Sequence, residues 1–232
     1  MSEHTIAKAL VKAQKAHVRK AADFYPTPVN VTQALMDFLK LPRNTLIWEP
    51  ASGDGAMART LERYVDDVHA SDLRDEPSIY GDTGVNFLDD LIDITIPVDW
   101  IITNPPFNLA EDFIRKALSV TPRVAMLLSN QYWHAERRLK LFKDHPPSHV
   151  LPLTWRPAFL EAERGKSPMM NVMWVVWGMN DGDALYRPLT RPANSVALDP
   201  IVPAFDFDDL LGEAMPTSST SCGADHIFGD LL

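Results

Sequence analysis

Short apolar runs alternate with stretches of helical spacing along most of the chain. The first helical stretch starts near Asn30 or Thr32 and stops ahead of Pro42, with apolar residues recurring every three or four positions. The runs that follow have the length of buried strands, and strand–helix alternation predicts a parallel sheet with helices on both faces. The predicted strands are 46–48, 68–70, 100–103, 124–128 and 150–153, and the predicted helices between them are 55–64, 109–119 and 134–143.

The last two predicted strands are expected to run antiparallel to each other. An apolar run at 171–178 follows the strand at 150–153 after a loop, 156–170, that lacks helical spacing, which predicts an antiparallel hairpin closing the sheet. One further strand is expected before Asn86, so that the run at 100–103 counts as the fourth. The expected fold class is α/β: a doubly wound, Rossmann-like sheet, mostly parallel, with an antiparallel C-terminal strand hairpin.

Both ends of the chain differ from this middle part, which we expect to form one domain over 22–188. Residues 1–21 predict a basic helix whose Lys and Arg side chains share one face, either a solvated face or a stripe that follows phosphates. Residues 189–232 are acidic and rich in Pro, Asp, Ser and Gly, and we interpret them as a mobile tail.

Composition narrows the classes of function. The 232 residues carry a formal net charge of −9, so the chain as a whole is no general polyanion binder and any nucleic-acid contact must be local. The single cysteine, Cys222, excludes an intrachain disulfide and a cysteine-based zinc cluster, and it favours a reducing, cytoplasmic setting. No apolar stretch fits a signal peptide or a membrane span. The seven histidines show no ligand spacing, so we expect no metal.

The first strand runs into a glycine-containing turn that favours a cationic ligand. Gly53 and Gly55 permit a tight turn and close approach of a ligand to the backbone, and the following helix offers free N–H groups. The third glycine of a dinucleotide fingerprint is absent, because Ala58 stands in its place, and Glu49 would repel a pyrophosphate. A ligand bearing an amino group and a sulfonium suits this carboxylate better.

An acid and a polar loop follow at two later strand ends. Asp72 comes about 20 residues after the glycine turn, the distance at which an acid accepts hydrogen bonds from ribose hydroxyls, although alone it would read as a helix cap. Asn104, Pro105, Pro106 and Phe107 follow the run at 100–103 and should stand across the crevice from the turn, where the strand order reverses.

This Asn-Pro-Pro-Phe loop has the groups needed to hold an amine. A turn breaker is the simpler interpretation, but two prolines stiffen the loop and leave the Pro105 carbonyl as an acceptor. Together with Asn104 Oδ1 it can hold both protons of an exocyclic amine and turn the lone pair toward an electrophilic methyl group. Phe107 can stack on the ring that bears the amine.

These residues together resemble the class I S-adenosylmethionine-dependent methyltransferases, and most closely the phage and prophage-type DNA N6-adenine methyltransferases with this loop. The resemblance covers roughly residues 22–180 and implies S-adenosylmethionine as cofactor. It implies a catalytic loop of Asn104, Pro105, Pro106 and Phe107. The cofactor-binding residues that it implies are Tyr25, Thr27, Glu49, Pro50, Ala51, Gly53, Gly55, Asp72, Asn86, Phe87 and Asn104.

Two of these assignments come from the family's other elements. The segment 23–28 resembles an N-terminal element that folds over the methionine end of the cofactor, through Tyr25 and Thr27. Asn86 and Phe87 resemble the pair that reads the cofactor adenine, in which the family usually has Asp first; an amide can still accept from the adenine amine.

Duplex DNA with an adenine target is the implied substrate, and the target base must flip out to reach the loop. The basic side chains able to meet a nucleic acid lie in two segments: Arg137 and Arg138 in the first, and Arg156, Arg164 and Lys166 in the second. This small surface predicts low sequence selectivity or a partner protein that supplies recognition, and a monomer or dimer is compatible with it.

Other functions share the same loop. Similar loops occur in methyltransferases that act on an RNA base amine or on a protein glutamine, and a non-catalytic, cofactor-binding regulator is a further alternative. C5-methylation of cytosine is excluded, because it needs a thiolate nucleophile and Cys222 lies far along the chain from both motifs.

Overall fold

The computed structural model describes residues 26–90, 97–159, 170–180 and 182–193. Several sequence predictions fall outside these residues: the basic helix, Tyr25, Arg164, Lys166, Cys222 and the acidic tail. Arg137 lies in a described turn, but its side chain is not among the described ones.

A seven-stranded mixed sheet forms the centre of the molecule, in the order β2-β1-β3-β4-β6-β5-β7. Strands β1 to β4 run parallel, β6 is antiparallel to both β4 and β5, and β7 is parallel to β5. The strands are β1 Leu46–Glu49, β2 Asp67–Ala70, β3 Trp100–Thr103, β4 Val124–Ser129, β5 His149–Pro152, β6 Val172–Trp177 and β7 Leu185–Tyr186.

Within the described ranges, four helices and two short 3₁₀ turns cover this sheet. Helix α1 precedes β1, α2 follows it, α3 joins β3 to β4, and α4 precedes β5. The α-helices are α1 Val29–Leu39, α2 Ala58–Leu61, α3 Ala110–Val120 and α4 Leu139–Asp144, and the 3₁₀ turns are Asn130–Trp133 and Glu136–Arg138. The predicted α/β fold class is confirmed.

The prediction of a further strand before Asn86 was wrong. Residues 73–90 form turns and bends, and the only pairing in this described segment is a single parallel bridge between Ser71 and Asp82. Gly81, directly before Asp82, has a φ of 87°, and a Cβ there would lie 2.2 Å from the Ala70 carbonyl oxygen. A backbone bent this tightly cannot continue a ladder, so the strand at Trp100–Thr103 is the third and not the fourth.

Two helix predictions were too long. The stretch 55–64 is helical only over Ala58–Leu61, because Gly53 and Gly55 take left-handed φ values of 57° and 81° and form a turn first. The stretch 134–143 divides into the 3₁₀ turn Glu136–Arg138 and the helix Leu139–Asp144.

The antiparallel hairpin is confirmed, but it does not close the sheet. Strand β6 lies between β4 and β5, and the edge position belongs to β7. All six residues of β6 are buried, so this strand has the uniformly apolar sequence of a central strand rather than an alternating edge pattern. Leu189, just past the expected domain end, is also buried and bridges Leu153.

A hydrophobic core lies on each face of the sheet. On one face α1 packs with Val31 and Leu35 against Trp174 of β6. The indole Nε1 of Trp174 donates to the Val31 carbonyl oxygen at 3.0 Å, which fixes the start of α1 over the sheet. On the other face Phe87 and the α3 residue Phe113 pack under the central strands.

The strand order reverses at β1, which pairs with β2 on one side and β3 on the other. Because β1, β3 and β4 are parallel, their last residues, Glu49, Thr103 and Ser129, end at the same edge of the sheet. Such a reversal leaves a crevice beyond the carboxyl ends of the strands, where α/β proteins bind their ligands. Among the described helices, none has the length and apolar character that crossing a membrane requires.

We predict that Trp174→Ala lowers the free energy of unfolding by about 3–5 kcal/mol, because it removes a fully buried ring and its hydrogen bond to α1. Urea unfolding followed by circular dichroism measures this loss. Tyr186→Ala is the control, since that side chain is 72% exposed and its loss should cost less than about 0.5 kcal/mol. Equal losses in the two variants would contradict the assigned role of Trp174.

Candidate active site

The turn after β1 is built from two glycines and closed by a tyrosine. Gly53 and Gly55 both have left-handed backbone conformations, which L side chains rarely adopt. At Gly55 a Cβ would lie 2.4 Å from Cγ of Tyr80, so the group that approaches this glycine is a side chain of the protein itself. The sequence suggested close approach of a ligand here, and the structure gives Tyr80 that position at Gly55.

Tyr80 anchors the segment 73–90 on the turn. Its N–H donates to the Gly53 carbonyl at 2.9 Å, and its carbonyl accepts from Ser52 Oγ at 2.6 Å. Its hydroxyl donates to Glu62 at 2.7 Å, and burial together with that carboxylate raises the pKa of Tyr80. These contacts connect residues far apart in the sequence, and a lone tyrosine in a polar segment carries no pattern that would have revealed them.

Asp72 ties the end of β2 to the same turn. Its Oδ2 accepts from the Gly53 N–H at 2.9 Å, and its Oδ1 accepts from the Arg74 N–H at 2.9 Å. The Arg74 guanidinium adds contacts of 3.0 Å and 3.1 Å to the two oxygens. Burial by itself raises the pKa of Asp72, but the hydrogen bonds from Arg74 and Gly53 outweigh it, so the pKa lies below its ordinary value. The carboxylate is therefore ionised at neutral pH.

Glu49 is a buried carboxyl at the end of β1. Its residue is 2% exposed, and burial, followed by repulsion from Asp54 and Asp72, raises its pKa well above the ordinary value. The backbone N–H of Ala58 donates to it, yet Oε2 has no hydrogen-bond partner among the described residues. A buried polar atom without a partner is costly, and a bound cation would satisfy this one.

The loop after β3 combines a buried proline with an exposed ring. Asn104 is half-buried, Pro105 is buried, and Phe107 is 36% exposed. The Leu109 N–H donates to the Pro106 carbonyl at 2.9 Å, and α3 begins at Ala110. The loop is therefore held at the end that leads into α3, while its aromatic residue is about one-third exposed.

Asn104 is joined to Thr27, ahead of α1. Nδ2 of Asn104 donates to Oγ1 of Thr27 at 3.1 Å, and Thr27 is 5% exposed. The sequence suggested Thr27 as a cofactor contact, and no local pattern suggested its link to the loop. A hydrogen bond across 77 residues follows from the fold and not from spacing.

Asn86 and Phe87 both make contacts within the protein itself. Phe87 is 2% exposed and packs edge-on against Trp48, with 5.1 Å between ring centroids, and against Phe113 at 5.0 Å. Asn86 is exposed, and its Oδ1 accepts from the Leu88 N–H at 3.2 Å. Leu73, directly after Asp72, is 61% exposed, a large apolar side chain that the sequence analysis did not single out.

Of the five basic residues predicted to contact a nucleic acid, only Arg138 and Arg156 have described side chains, and their surroundings differ. Arg156 is exposed, and its Nε donates to Asn171 Oδ1 at 3.0 Å; the Asn171 carbonyl in turn accepts from the Asn130 N–H just past β4. Arg156 therefore lies at the edge of the sheet where β3 also ends. The Arg138 guanidinium lies 3.8 Å over the Tyr132 ring and donates to the Tyr132 carbonyl, so part of its donor capacity is used within the protein.

No protein-family model and no curated protein matches the chain. A modification subunit of a candidate type I restriction enzyme from Vibrio vulnificus superposes with a TM-score of 0.51 at 14% identity, over 83% of this chain and 54% of that one. The type I restriction-modification methyltransferase subunit of Streptococcus thermophilus gives a TM-score of 0.52 at 12% identity, over 70% of this chain and 46% of that one.

A candidate RNA methyltransferase from Pyrococcus horikoshii is equally similar in fold. Its TM-score is 0.51 at 16% identity, over 66% of this chain and 85% of that one. This chain spans about half the length of the two restriction subunits. The strand order and these superpositions show that the chain has the Rossmann-like fold of the class I methyltransferases.

Proposed function

We propose that this protein transfers a methyl group from S-adenosylmethionine to the N6 amine of adenine in DNA. The observation that carries the proposal is the pairing of two features across one crevice. The Asn104 loop with its exposed Phe107 follows β3, and the glycine turn with the unsatisfied Glu49 follows the neighbouring β1. Methyl transfer to an amine needs hydrogen-bond acceptors that hold the target amine and a site that binds the positively charged cofactor.

The residues around the turn fit the cofactor. Glu49 Oε2, buried and without a described partner, suits the amino group of the cofactor's methionine end, and Pro50 and Ala51 follow it in the turn. Asp72, ionised and held against Gly53, suits the ribose hydroxyls. Asn86 and the exposed Leu73 beside Asp72 suit the adenine. When bound, the cofactor supplies an electrophilic methyl group on a sulfonium.

The catalytic loop would orient the target amine. Oδ1 of Asn104 and the carbonyl of Pro105 accept the two N–H groups of the adenine amine, and this turns its lone pair out of the hydrogen-bonding plane. Phe107 stacks on the base. The new N–C bond would replace the sulfonium S–C bond of the cofactor, and the methylated amine, now positively charged and acidic, would give its extra proton to water, so no strongly basic side chain is required.

DNA is favoured as the substrate by the restriction-modification subunits among the similar structures, one of which is named a methyltransferase. The flipped base that such a substrate requires would stack on Phe107, and the DNA backbone would be held by phosphate contacts from Arg138 and Arg156, together with Arg137, Arg164 and Lys166, which the sequence assigns to this role. Methylation of an RNA base amine is the second candidate, because the chain spans 85% of the candidate RNA methyltransferase but only about half of the restriction subunits.

We predict that the protein labels N6-methyladenine in unmethylated DNA when it is supplied with tritiated S-adenosylmethionine, and that Asn104→Ala lowers the transfer rate by about 100-fold or more. Scintillation counting followed by nucleoside analysis identifies the product in DNA, RNA and protein fractions. Asn108→Ala is the matched control, the same substitution in the same exposed loop. Label in RNA instead of DNA would favour the second candidate, and full activity of Asn104→Ala would contradict the role of the loop.

We predict that Glu49→Gln stabilises the protein without cofactor by about 1 kcal/mol at neutral pH. A carboxyl whose pKa is raised by folding holds its proton more tightly in the folded state, so stability falls as pH rises from the ordinary pKa of 4.5 to the raised value. The amide does not titrate. Thermal unfolding at pH 4 and pH 7 should show a difference between the two proteins only at the higher pH.

The same substitution should weaken cofactor binding about tenfold or more, because it removes the charge that faces the amino group. Isothermal titration calorimetry measures this affinity. Glu76→Gln, which removes an exposed carboxylate, is the control for both measurements. A Glu49→Gln variant that binds the cofactor as tightly as the wild type would exclude Glu49 from the cofactor site.

We predict that Asp72→Asn weakens cofactor binding by about 10- to 100-fold, because a charge-assisted hydrogen bond to a ribose hydroxyl contributes about 1.5–3 kcal/mol. Calorimetric titration gives the affinity, and circular dichroism checks that the variant is folded. Asp90→Asn, a fully exposed aspartate, is the control. An unchanged affinity would refute the ribose assignment.

A further inference from the structure

A hydrogen bond connects the segment ahead of α1 with the proposed catalytic loop. Asn104 Nδ2 donates to Thr27 Oγ1 at 3.1 Å, although the two residues are 77 positions apart. Thr27 is 5% exposed, so water competes little for this contact. The bond involves the one side chain in the loop that the proposed chemistry uses as an acceptor.

The two ends of a carboxamide are alike in shape and opposite in hydrogen bonding. Oδ1 accepts, whereas Nδ2 donates two protons, so an asparagine that is turned by half a rotation presents the wrong group. An N–H aimed at a target amine would repel its protons and leave the lone pair unoriented. In the observed rotamer Thr27 Oγ1 accepts at Nδ2, and a carboxamide held in this way keeps Oδ1 on its other side as the acceptor for the amine.

The position of Thr27 is itself fixed by the core. The Val31 N–H donates to the Pro28 carbonyl at 2.9 Å at the start of α1, and the Val31 carbonyl accepts from the fully buried Trp174 indole at 3.0 Å. A hydroxyl at the anchored start of a helix is a rigid reference point for a loop side chain. The loop, by contrast, has no regular structure between β3 and α3.

We propose that Thr27 is a positioning residue for methyl transfer: by accepting from Asn104 Nδ2 it presents Asn104 Oδ1 to the target amine. This role rests on the proposed function and deepens it, because it assigns Thr27 to the orientation of the acceptor rather than to the cofactor. Thr27 takes no part in bond formation. Its removal should lower the rate of transfer and leave cofactor affinity unchanged.

Three variants test this role in the full-length protein. Thr27→Val removes the hydroxyl and keeps the shape, whereas Thr27→Ser keeps the hydroxyl. Thr32→Val is the matched control, because Thr32 is a fully buried threonine of α1 whose hydroxyl has no hydrogen-bond partner among the described residues. Single-turnover transfer is measured at saturating cofactor and DNA, and cofactor affinity is measured by calorimetry.

We expect Thr27→Val to lower the single-turnover rate about 10- to 100-fold, the size of effect that misorientation of a reacting group produces. Thr27→Ser and Thr32→Val should keep rates within about twofold of the wild type, and all three variants should bind the cofactor with unchanged affinity. Equal losses in Thr27→Val and Thr27→Ser would overturn the proposal in favour of packing. Weakened cofactor binding with an unchanged saturated rate would overturn it in favour of a cofactor contact.

A spectroscopic measurement separates this proposal from the proposed function. The side-chain amide ¹H–¹⁵N resonances of Asn104, identified by their loss in Asn104→Asp, should shift in Thr27→Val and stay in place in Thr32→Val. Unshifted resonances in Thr27→Val would overturn the orienting role even if DNA is methylated. If the wild type methylates RNA instead, only the DNA assignment fails, and the same rates are compared on RNA.

Discussion

The pairing of β1 with β3 is the constraint on which the candidate site depends. Ile47 lies beside Trp100 and Trp48 beside Ile101, so the two strands end next to each other although about 50 residues separate them. Because the strands are parallel and the order reverses at β1, the glycine turn and the Asn104 loop emerge at one edge with a crevice between them. Pairing of β3 elsewhere would leave both motifs intact in sequence and unable to act together.

Beside this crevice the protein keeps a buried carboxyl group, Glu49, whose ionisation does not favour folding. Glu49 is buried, its pKa is raised, and one of its oxygens has no hydrogen-bond partner in the part of the chain that the structure describes, whereas Asp72, just past the next strand, is stabilised in its ionised form by Arg74 and the Gly53 N–H. The two carboxyl groups also repel each other. An arrangement that a bound cation would relieve at one carboxyl, while the other is already held by the turn, is typical of a site shaped for a ligand rather than for stability.

The sequence predicted the secondary structure well where one hydrophobic periodicity dominates, and poorly where tertiary contacts determine the backbone conformation. The strand Trp100–Thr103 was predicted with its observed bounds, because four consecutive buried residues leave no helical alternative of that length. The absent strand over 73–90 and the shortened α2 both follow from glycine backbone conformations at Gly53, Gly55 and Gly81, which a count of apolar residues does not register. The central position of β6 could not be read from its order in the chain, since two strands joined by a loop pair equally well at an edge or inside a sheet.

The same distinction applies to the site. Asn104 and Phe107 were predicted from their motif, because the proposed chemistry needs an amide acceptor and an aromatic ring in one short loop, and Glu49 and Asp72 were predicted from their positions relative to the glycine turn. Thr27 contacts Asn104, and Tyr80 contacts the glycine turn, each from outside these motifs and through contacts that depend on the folded backbone. Arg138 and Arg156 show why charge alone is a weak guide: one guanidinium is stacked on Tyr132, and the other lies at the edge where β3 ends, so equal charges in the sequence have different surroundings in the folded protein.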